Sequence, residues 1–96
     1  MSEVSVVAIS IAKPACEALL KEALEALVEP VRHEAGALQY TLYQDKKESR
    51  RFVIVERWAN DAAFQAHVVA PHIEAYRQRT ADWLEYADFF ALNRVR

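Results

Sequence analysis

The fold is decided by residues 37–58, which read ALQYTLYQDKKESRRFVIVERW. Apolar and polar residues alternate over Ala37–Gln44 and again over Arg51–Trp58, and a charged, turn-like segment separates the two runs. Alternation with a period of two is typical of β-strands. The stretch therefore predicts a β-hairpin, with Ala37–Gln44 as the second strand of the fold and Arg51–Trp58 as the third.

Upstream of this hairpin, the sequence predicts a strand and a long helix. Val4–Ala12 is a β-branched run of the kind that is buried on both faces of a sheet. Gly36 is expected to end the helix in a left-handed conformation. The helix is expected from about Pro14 to His33, because apolar residues recur at spacings of four, three and four: Leu20, Leu24, Leu27 and Val31.

Downstream of the hairpin, the sequence predicts two short helices and a closing strand. Asn60 is a good N-cap for the first helix. Pro71 breaks that helix and can begin a second one, which is expected to end near Arg79. Leu84–Val95 is rich in aromatic and β-branched residues and predicts the last strand.

The order βαββα(α)β predicts an α+β fold, a ferredoxin-like βαββαβ unit with an antiparallel sheet and both helical layers on one face. A length of 96 residues indicates one domain, residues 1–96. The first strand is apolar on both sides, so the other sheet face would expose an apolar patch. We therefore expect a homodimer through the sheet faces, which would form a dimeric α+β barrel.

Composition and charge argue against several classes of function. A net charge of −2 and a pI near 5.9 provide no basic field for nucleic acid or an anionic membrane. One cysteine cannot form an internal disulfide and no apolar leader opens the chain, so we expect a cytoplasmic protein. The sequence contains no glycine-rich phosphate loop, so we do not expect a nucleotide cofactor. No metal site is predicted either, because His67 and His72 are not four residues apart on one helix and lack a third ligand.

One group of side chains could carry chemistry. Alternation places Glu56 and Trp58 on one face of the third strand, with Tyr40 on its neighbour and His67 above them. Such a set suits an aromatic substrate, because it offers rings for stacking, a hydroxyl for orientation and an imidazole that titrates near neutrality. The predicted catalytic residues are His67 and Glu56, and the predicted substrate-binding residues are Tyr40, Trp58, Phe64 and His72.

Each of these side chains also has a purely structural interpretation. Trp58 could be core packing, because tryptophan buries a large apolar area. Glu56 could neutralise a neighbouring arginine such as Arg57 or Arg77, and both helix histidines could lie on the surface. A shift of one residue in strand register would also turn the set to the opposite face.

Several spaced residues give the chain a family resemblance. It resembles the antibiotic-biosynthesis-monooxygenase domain over almost its whole length, although Ala15 stands where that family usually has glycine and Ala37 where it often has cysteine. The residues that carry the resemblance are Arg32, Glu34, Gly36 and Tyr40 in the first half, and Glu56, Trp58, Asn60, Asp61 and His67 in the second.

The resemblance implies an oxygenase without metal or organic cofactor that acts on a phenol such as a quinol or an anthrone. His67, assisted by Glu56, would deprotonate the phenol, and the anion would react with dioxygen to give a quinone. The haem-degrading branch of the family uses an asparagine on the first strand, where this chain offers Ser5 and Ser10.

Two alternatives stay open from the sequence. The first is an isomerase of a small oxygenated or phosphorylated metabolite, which would need cations in the pocket and would not consume oxygen. The second is a dimer that binds a small ligand without catalysis, for which replacement of His67 would change affinity alone.

Overall fold

A computed structural model describes residues 2–96 of the protein. The predicted order of elements is confirmed, and all three strands of the first two-thirds of the chain have the predicted bounds. The elements are β1 (Val4–Ala12), α1 (Glu17–Arg32), β2 (Ala37–Gln44), β3 (Arg51–Trp58), α2 (Asp61–Val68), α3 (Pro71–Thr80), a one-turn 3₁₀ helix (Ala81–Trp83) and β4 (Leu84–Leu92).

The four strands form one antiparallel sheet in the order β2-β3-β1-β4. Glu56 on β3 lies between Val6 on β1 and Tyr40 on β2, which fixes the register of the three strands. The even-numbered residues of β3 are buried and the odd-numbered ones are half-buried. The helices therefore cover the even-numbered face, and the predicted α+β fold is confirmed.

The core lies between the helical layer and this face of the sheet. The leucine stripe predicted for α1 packs onto strand residues such as Phe52 and Ile54, and all of them are buried. Full burial of each such side chain stabilises the fold by roughly 1.5–3 kcal/mol. Arg32 in the last turn of α1 also donates from Nε and Nη2 to the Tyr40 carbonyl, at 3.1 and 3.0 Å. The end of α1 is thereby fixed to β2.

Three predicted boundaries differ from the structure. Helix α1 begins at Glu17 and not near Pro14, because the preceding residues form a turn in which Ala15 has a φ of 70°. This left-handed conformation favours glycine and is uncommon for alanine. Gly36 does not end the helix, which stops at Arg32. Strand β4 ends at Leu92, before the predicted Val95.

Gly36 instead allows the loop after α1 to approach helix α2. Its φ is 81°, and a Cβ placed on it would lie 2.6 Å from the Cβ of Ala63. Its carbonyl accepts a hydrogen bond from the Ala59 N–H at 2.8 Å. The absence of a side chain at Gly36 therefore sets the distance between the α1–β2 loop and α2.

The opposite face of the sheet is not covered by helices. The register places Tyr43, Tyr86, Phe90 and Leu92 on this side, and each is between two-fifths and just over half exposed. No helix within residues 2–96 is both long enough and apolar enough to cross a bilayer.

We expect Gly36→Ala to lower the free energy of unfolding by about 2 to 4 kcal/mol, because it combines a left-handed alanine with a steric overlap at Ala63. Chemical denaturation measures this change. Adding Ala63→Gly should recover the part that comes from the overlap but not the conformational part. If the single variant were as stable as the natural protein, the close approach of loop and helix would be wrong.

Candidate active site

Glu56 is a carboxylate buried between the sheet and the helices. It is 4% exposed, and its Oε1 accepts a hydrogen bond from Trp58 Nε1 at 2.9 Å. Arg57 and Arg77, which could have neutralised it, pair with other carboxylates. The structure therefore leaves this carboxylate without a cationic arginine partner among the described residues.

Burial changes the proton affinity of Glu56. Desolvation raises its pKa from 4.5 to about 7, the Trp58 hydrogen bond acts in the opposite direction, and the charge of Glu34 raises the pKa further. At neutral pH the group therefore carries a proton for a large part of the time. A carboxyl group in this state can both give and take a proton.

His67 extends from α2 over these strand residues, as the sequence predicts. Its ring lies 4.6 Å from the Trp58 ring between centroids, at an angle of 32°. The Tyr40 ring meets it edge-on at 5.8 Å and the Phe64 ring lies at 6.3 Å. His67 Nε2 is 3.8 Å from Glu56 Oε1, which is close but longer than a hydrogen bond. Aromatic rings thus hold the imidazole from several sides.

Glu34 is the site residue that sequence reasoning missed. It lies in the loop after α1, and both its carboxylate oxygens are 3.1 Å from His67 Nδ1. Its Oε2 is also 2.5 Å from His72 Nε2. The Arg-x-Glu-x-Gly spacing contains Glu34, but nothing in that spacing shows that a residue 33 positions earlier contacts His67. From the sequence, Glu56 was the residue expected to assist His67, whereas the carboxylate within hydrogen-bond distance of His67 Nδ1 is that of Glu34.

This contact fixes the tautomer of His67. A carboxylate accepts hydrogen bonds, so Nδ1 carries the proton and Nε2 keeps its lone pair on the side of Glu56. Burial lowers the pKa of His67, and this effect outweighs the hydrogen bond to Glu34, which raises it. The carboxylate beside the imidazole thus makes it more basic, but by less than burial makes it less basic. The imidazole is neutral at pH 7 and Nε2 can accept a proton.

A pocket of about 430 Å³ opens beside these groups, between the sheet and the three α-helices. Four of the predicted site residues line it: Tyr40, Glu56, Phe64 and His67. Trp58 and His72 do not. Trp58 is fully buried beneath His67, and His72 lies on the other side of Glu34, so neither is placed to contact a ligand in this pocket.

Most of the pocket wall is apolar. Burial raises the pKa of Tyr40, which keeps its hydroxyl neutral.

Within residues 2–96, no group of three or more His, Cys, Asp or Glu side chains is arranged to hold a metal ion.

Comparison with known proteins places the chain in a family. The family model described as "Antibiotic biosynthesis monooxygenase" matches residues 4–79. The chain belongs to the antibiotic biosynthesis monooxygenase family. Family membership confirms the resemblance seen in the sequence and supports a monooxygenase-like function.

Two relatives are similar to the chain in sequence. Rv0793 of Mycobacterium tuberculosis, whose name marks it as a candidate monooxygenase, is 30% identical over 83 residues, which are 86% of this chain and 81% of Rv0793. An uncharacterized protein of Synechocystis is 32% identical over 60 residues, or 62% of this chain. The match spans only 41% of the Synechocystis protein.

Solved structures of the family have the same architecture. PA3566 of Pseudomonas aeruginosa superposes with a TM-score of 0.93 and 32% identity, over 100% of this chain and 97% of that one. The structure of Rv0793 gives a TM-score of 0.91 with 27% identity, over 99% and 97% of the two chains. The fold of this antibiotic biosynthesis monooxygenase family member is therefore shared along its whole length.

The buried carboxyl of Glu56 should make stability depend on pH. A pKa raised from 4.5 to about 7 means that the folded state binds the proton more tightly. This contribution is fully present below pH 4.5 and is lost as the pH rises to 7, with a total on the order of 3 kcal/mol. We expect Glu56→Gln to match the natural protein near pH 4.5 and to exceed its stability by about this amount at pH 8.

Denaturation at a series of pH values tests this expectation. The quantity to compare is the difference in unfolding free energy between the two proteins at each pH. The lowered pKa of His67 reduces the stability of both proteins as the pH falls below 6.5, so this contribution cancels in the difference. Glu74→Gln, at an exposed carboxylate, is the matched control and should run parallel to the natural protein. A parallel curve for Glu56→Gln would show that Glu56 is not desolvated.

Proposed function

We propose that the pocket binds a phenolic substrate, such as a quinol or an anthrone, and oxidises it with dioxygen to a quinone without a metal or organic cofactor. One observation carries the proposal. The imidazole of His67 is neutral, its Nδ1 is held by Glu34, and its Nε2 is free beside an apolar pocket. This is the arrangement of a general base for a bound hydroxyl group.

In the first step, His67 Nε2 takes the proton of the phenol. The imidazolium that forms is stabilised by the carboxylate of Glu34, which lies 3.1 Å from Nδ1. An anion in an apolar pocket is a strong electron donor, because little water is present to stabilise its charge. The substrate itself therefore supplies the electrons for the reaction.

In the following steps, the phenolate passes one electron to dioxygen, which gives a phenoxyl radical and superoxide. The two radicals combine at a ring carbon that carries hydrogen, and a C–O bond forms. The peroxide then loses water as its O–O bond breaks. One oxygen atom remains as the quinone carbonyl, and the other leaves as water with the phenolic proton and the hydrogen of the ring carbon.

Other residues have supporting roles in this proposal. Glu56 lies at the same end of the pocket and can give its own proton to the peroxide, because its pKa is about 7. The proton that His67 took from the phenol can then restore Glu56, whose Oε1 lies 3.8 Å from His67 Nε2. Tyr40 and Phe64 line the pocket and can orient the aromatic ring. Trp58 acts as a positioning residue, since it packs beneath His67 and hydrogen-bonds to Glu56.

The isomerase alternative has less support in the pocket wall. Arg77 is the one arginine among the pocket-lining residues within 2–96. Its Nη1 lies 3.6 Å from Glu74 Oε2, so its charge is partly neutralised. A phosphorylated metabolite would call for more cationic groups than this. Oxygen uptake decides between the two reactions.

We expect the metal-stripped protein to consume oxygen with hydroquinones or hydroxylated anthrones. His67→Ala should lower the rate by about 10²- to 10⁴-fold, which is the usual contribution of a general base. His33→Ala is the control, because that histidine is exposed and hydrogen-bonds to the end of α1. An oxygen electrode measures both. Full activity of His67→Ala would remove the assigned base, and no uptake across the substrates would favour isomerisation or binding alone.

We also propose that two copies pair through their uncovered sheet faces. The supporting feature is a set of exposed large apolar side chains on this face, among them Tyr86, Phe90 and Leu92. Exposure of such an apolar surface to water is unfavourable for a monomer of only 11.0 kDa. A two-fold contact of the same face with itself would bury it in both copies.

Sedimentation at micromolar concentration tests the pairing. We expect a species of about twice 11.0 kDa, and a shift toward the monomer for Phe90→Lys. Val69→Lys is the control, because Val69 is 75% exposed in the turn between α2 and α3, away from the sheet. A natural protein that sediments as a monomer would rule out the pairing.

A further inference from the structure

The hydroxyl group of Tyr76 is buried without a partner. Tyr76 lies on α3, and among the buried side-chain oxygens and nitrogens of residues 2–96 its Oη alone makes no hydrogen bond. Burial raises the pKa of Tyr76, so the hydroxyl stays neutral and can both donate and accept. An unsatisfied buried hydroxyl destabilises a fold, and in native structures it calls for an explanation.

The position of Tyr76 provides such an explanation. Tyr76 lines the same pocket as Glu56 and His67, together with Ser10 of β1 and Thr80 of α3. The Thr80 hydroxyl is already used, since it donates to the backbone carbonyl of Tyr76 at 2.9 Å. The Ser10 and Thr80 hydroxyls both lie close enough to Tyr76 Oη to lower its pKa, although neither makes a well-aligned hydrogen bond with it. Tyr76 Oη and Ser10 Oγ therefore lie close together at the pocket wall, without a well-aligned hydrogen bond between them.

These hydroxyls lie at the other end of the pocket from the proposed base. On the sheet, Val6 pairs with Glu56, and Ser10 follows four residues later opposite Phe52. Four residues along a strand span about 13 Å. Between the two ends, the strands contribute Ala8 and Ile54 to the pocket lining. The pocket thus has a polar group at each end and apolar walls between them.

We infer that the pocket selects an elongated aromatic ligand with an oxygen function at each end, one held at His67 and Glu56 and the other hydrogen-bonded by Tyr76 and Ser10. The inference deepens the proposed function, on which the first of these contacts rests. It assigns Tyr76 as the residue that determines specificity at the distal end. A ligand with a single hydroxyl group leaves the Tyr76 hydroxyl unpaired.

Binding of two matched ligands by calorimetry tests this assignment without any catalytic turnover. 2,6-Dihydroxynaphthalene has oxygen at both ends of the ring system, and 2-naphthol has it at one end. We expect the protein to bind the diol about 5- to 10-fold more tightly, which is the effect of one additional hydrogen bond. Tyr76→Phe should abolish this preference by weakening the diol and leaving 2-naphthol unchanged.

Ser49→Ala is the control, because Ser49 carries an exposed hydroxyl in the turn between β2 and β3, outside the pocket lining, and it should keep the preference. Equal effects of Tyr76→Phe on both ligands, or no effect on either, would overturn the assignment. Failure of the natural protein to bind either naphthol would overturn it too. A preserved diol preference without oxygen uptake would instead contradict the proposed oxidation and leave the distal contact standing.

The ligand-free protein offers a second readout. If Tyr76 Oη is present to bind a ligand, its removal frees the fold of an unpaired buried group, and Tyr76→Phe should raise the melting temperature by a few degrees. Ser49→Ala should leave it unchanged. A lower melting temperature for Tyr76→Phe would show that the hydroxyl is structural and would overturn the assignment.

Discussion

The contact between His67 and the carboxylate of Glu34 is the interaction on which the site depends. It joins the loop after α1 to helix α2, two elements that are far apart in the sequence. The contact is possible because Gly36 lets the loop approach α2 closely. It also determines which nitrogen of the imidazole faces Glu56 and the pocket, and therefore what chemistry His67 can perform.

The protein buries polar groups that a stable core would exclude. Glu56 is almost completely removed from water and lacks an arginine partner, and Tyr76 Oη lacks any hydrogen bond within the described residues. Each of these groups opposes folding by an amount comparable to the burial of one apolar side chain. The leucine stripe of α1 and the aromatic residues of β3 offset this cost. Unfavourable burial that is concentrated around one pocket is typical of a functional site.

At this site, burial changes the pKa values of the ionisable groups more than their hydrogen bonds do. Desolvation lowers the pKa of His67 although a carboxylate touches it, and raises that of Glu56 although an indole N–H donates to it. The base is therefore neutral and the acid is protonated for much of the time at neutral pH. A pair in this state can exchange protons with a bound ligand without a large change of net charge.

The sequence by itself determined the secondary structure, the topology and which side chains share a sheet face with Glu56. Alternation of side chains is a local property, so the bounds of β2 and β3 and the shared face of Tyr40, Glu56 and Trp58 could be inferred from neighbouring residues. Asn60 and Pro71 likewise mark helix starts by the chemistry of their own backbone and side chain. The left-handed turn at Ala15 escaped prediction, because alanine gives no local signal for that conformation.

The tertiary structure alone decided which side chains meet. Glu34, and not Glu56, contacts His67 Nδ1. Trp58 lies beneath the site and does not line the pocket. His72 contacts Glu34 and lies outside the pocket. Each of these facts depends on distances between elements separated by 30 or more residues, or on how deeply a side chain is covered. Local patterns hold no information on such distances, because they are set by how the helical layer packs onto the sheet.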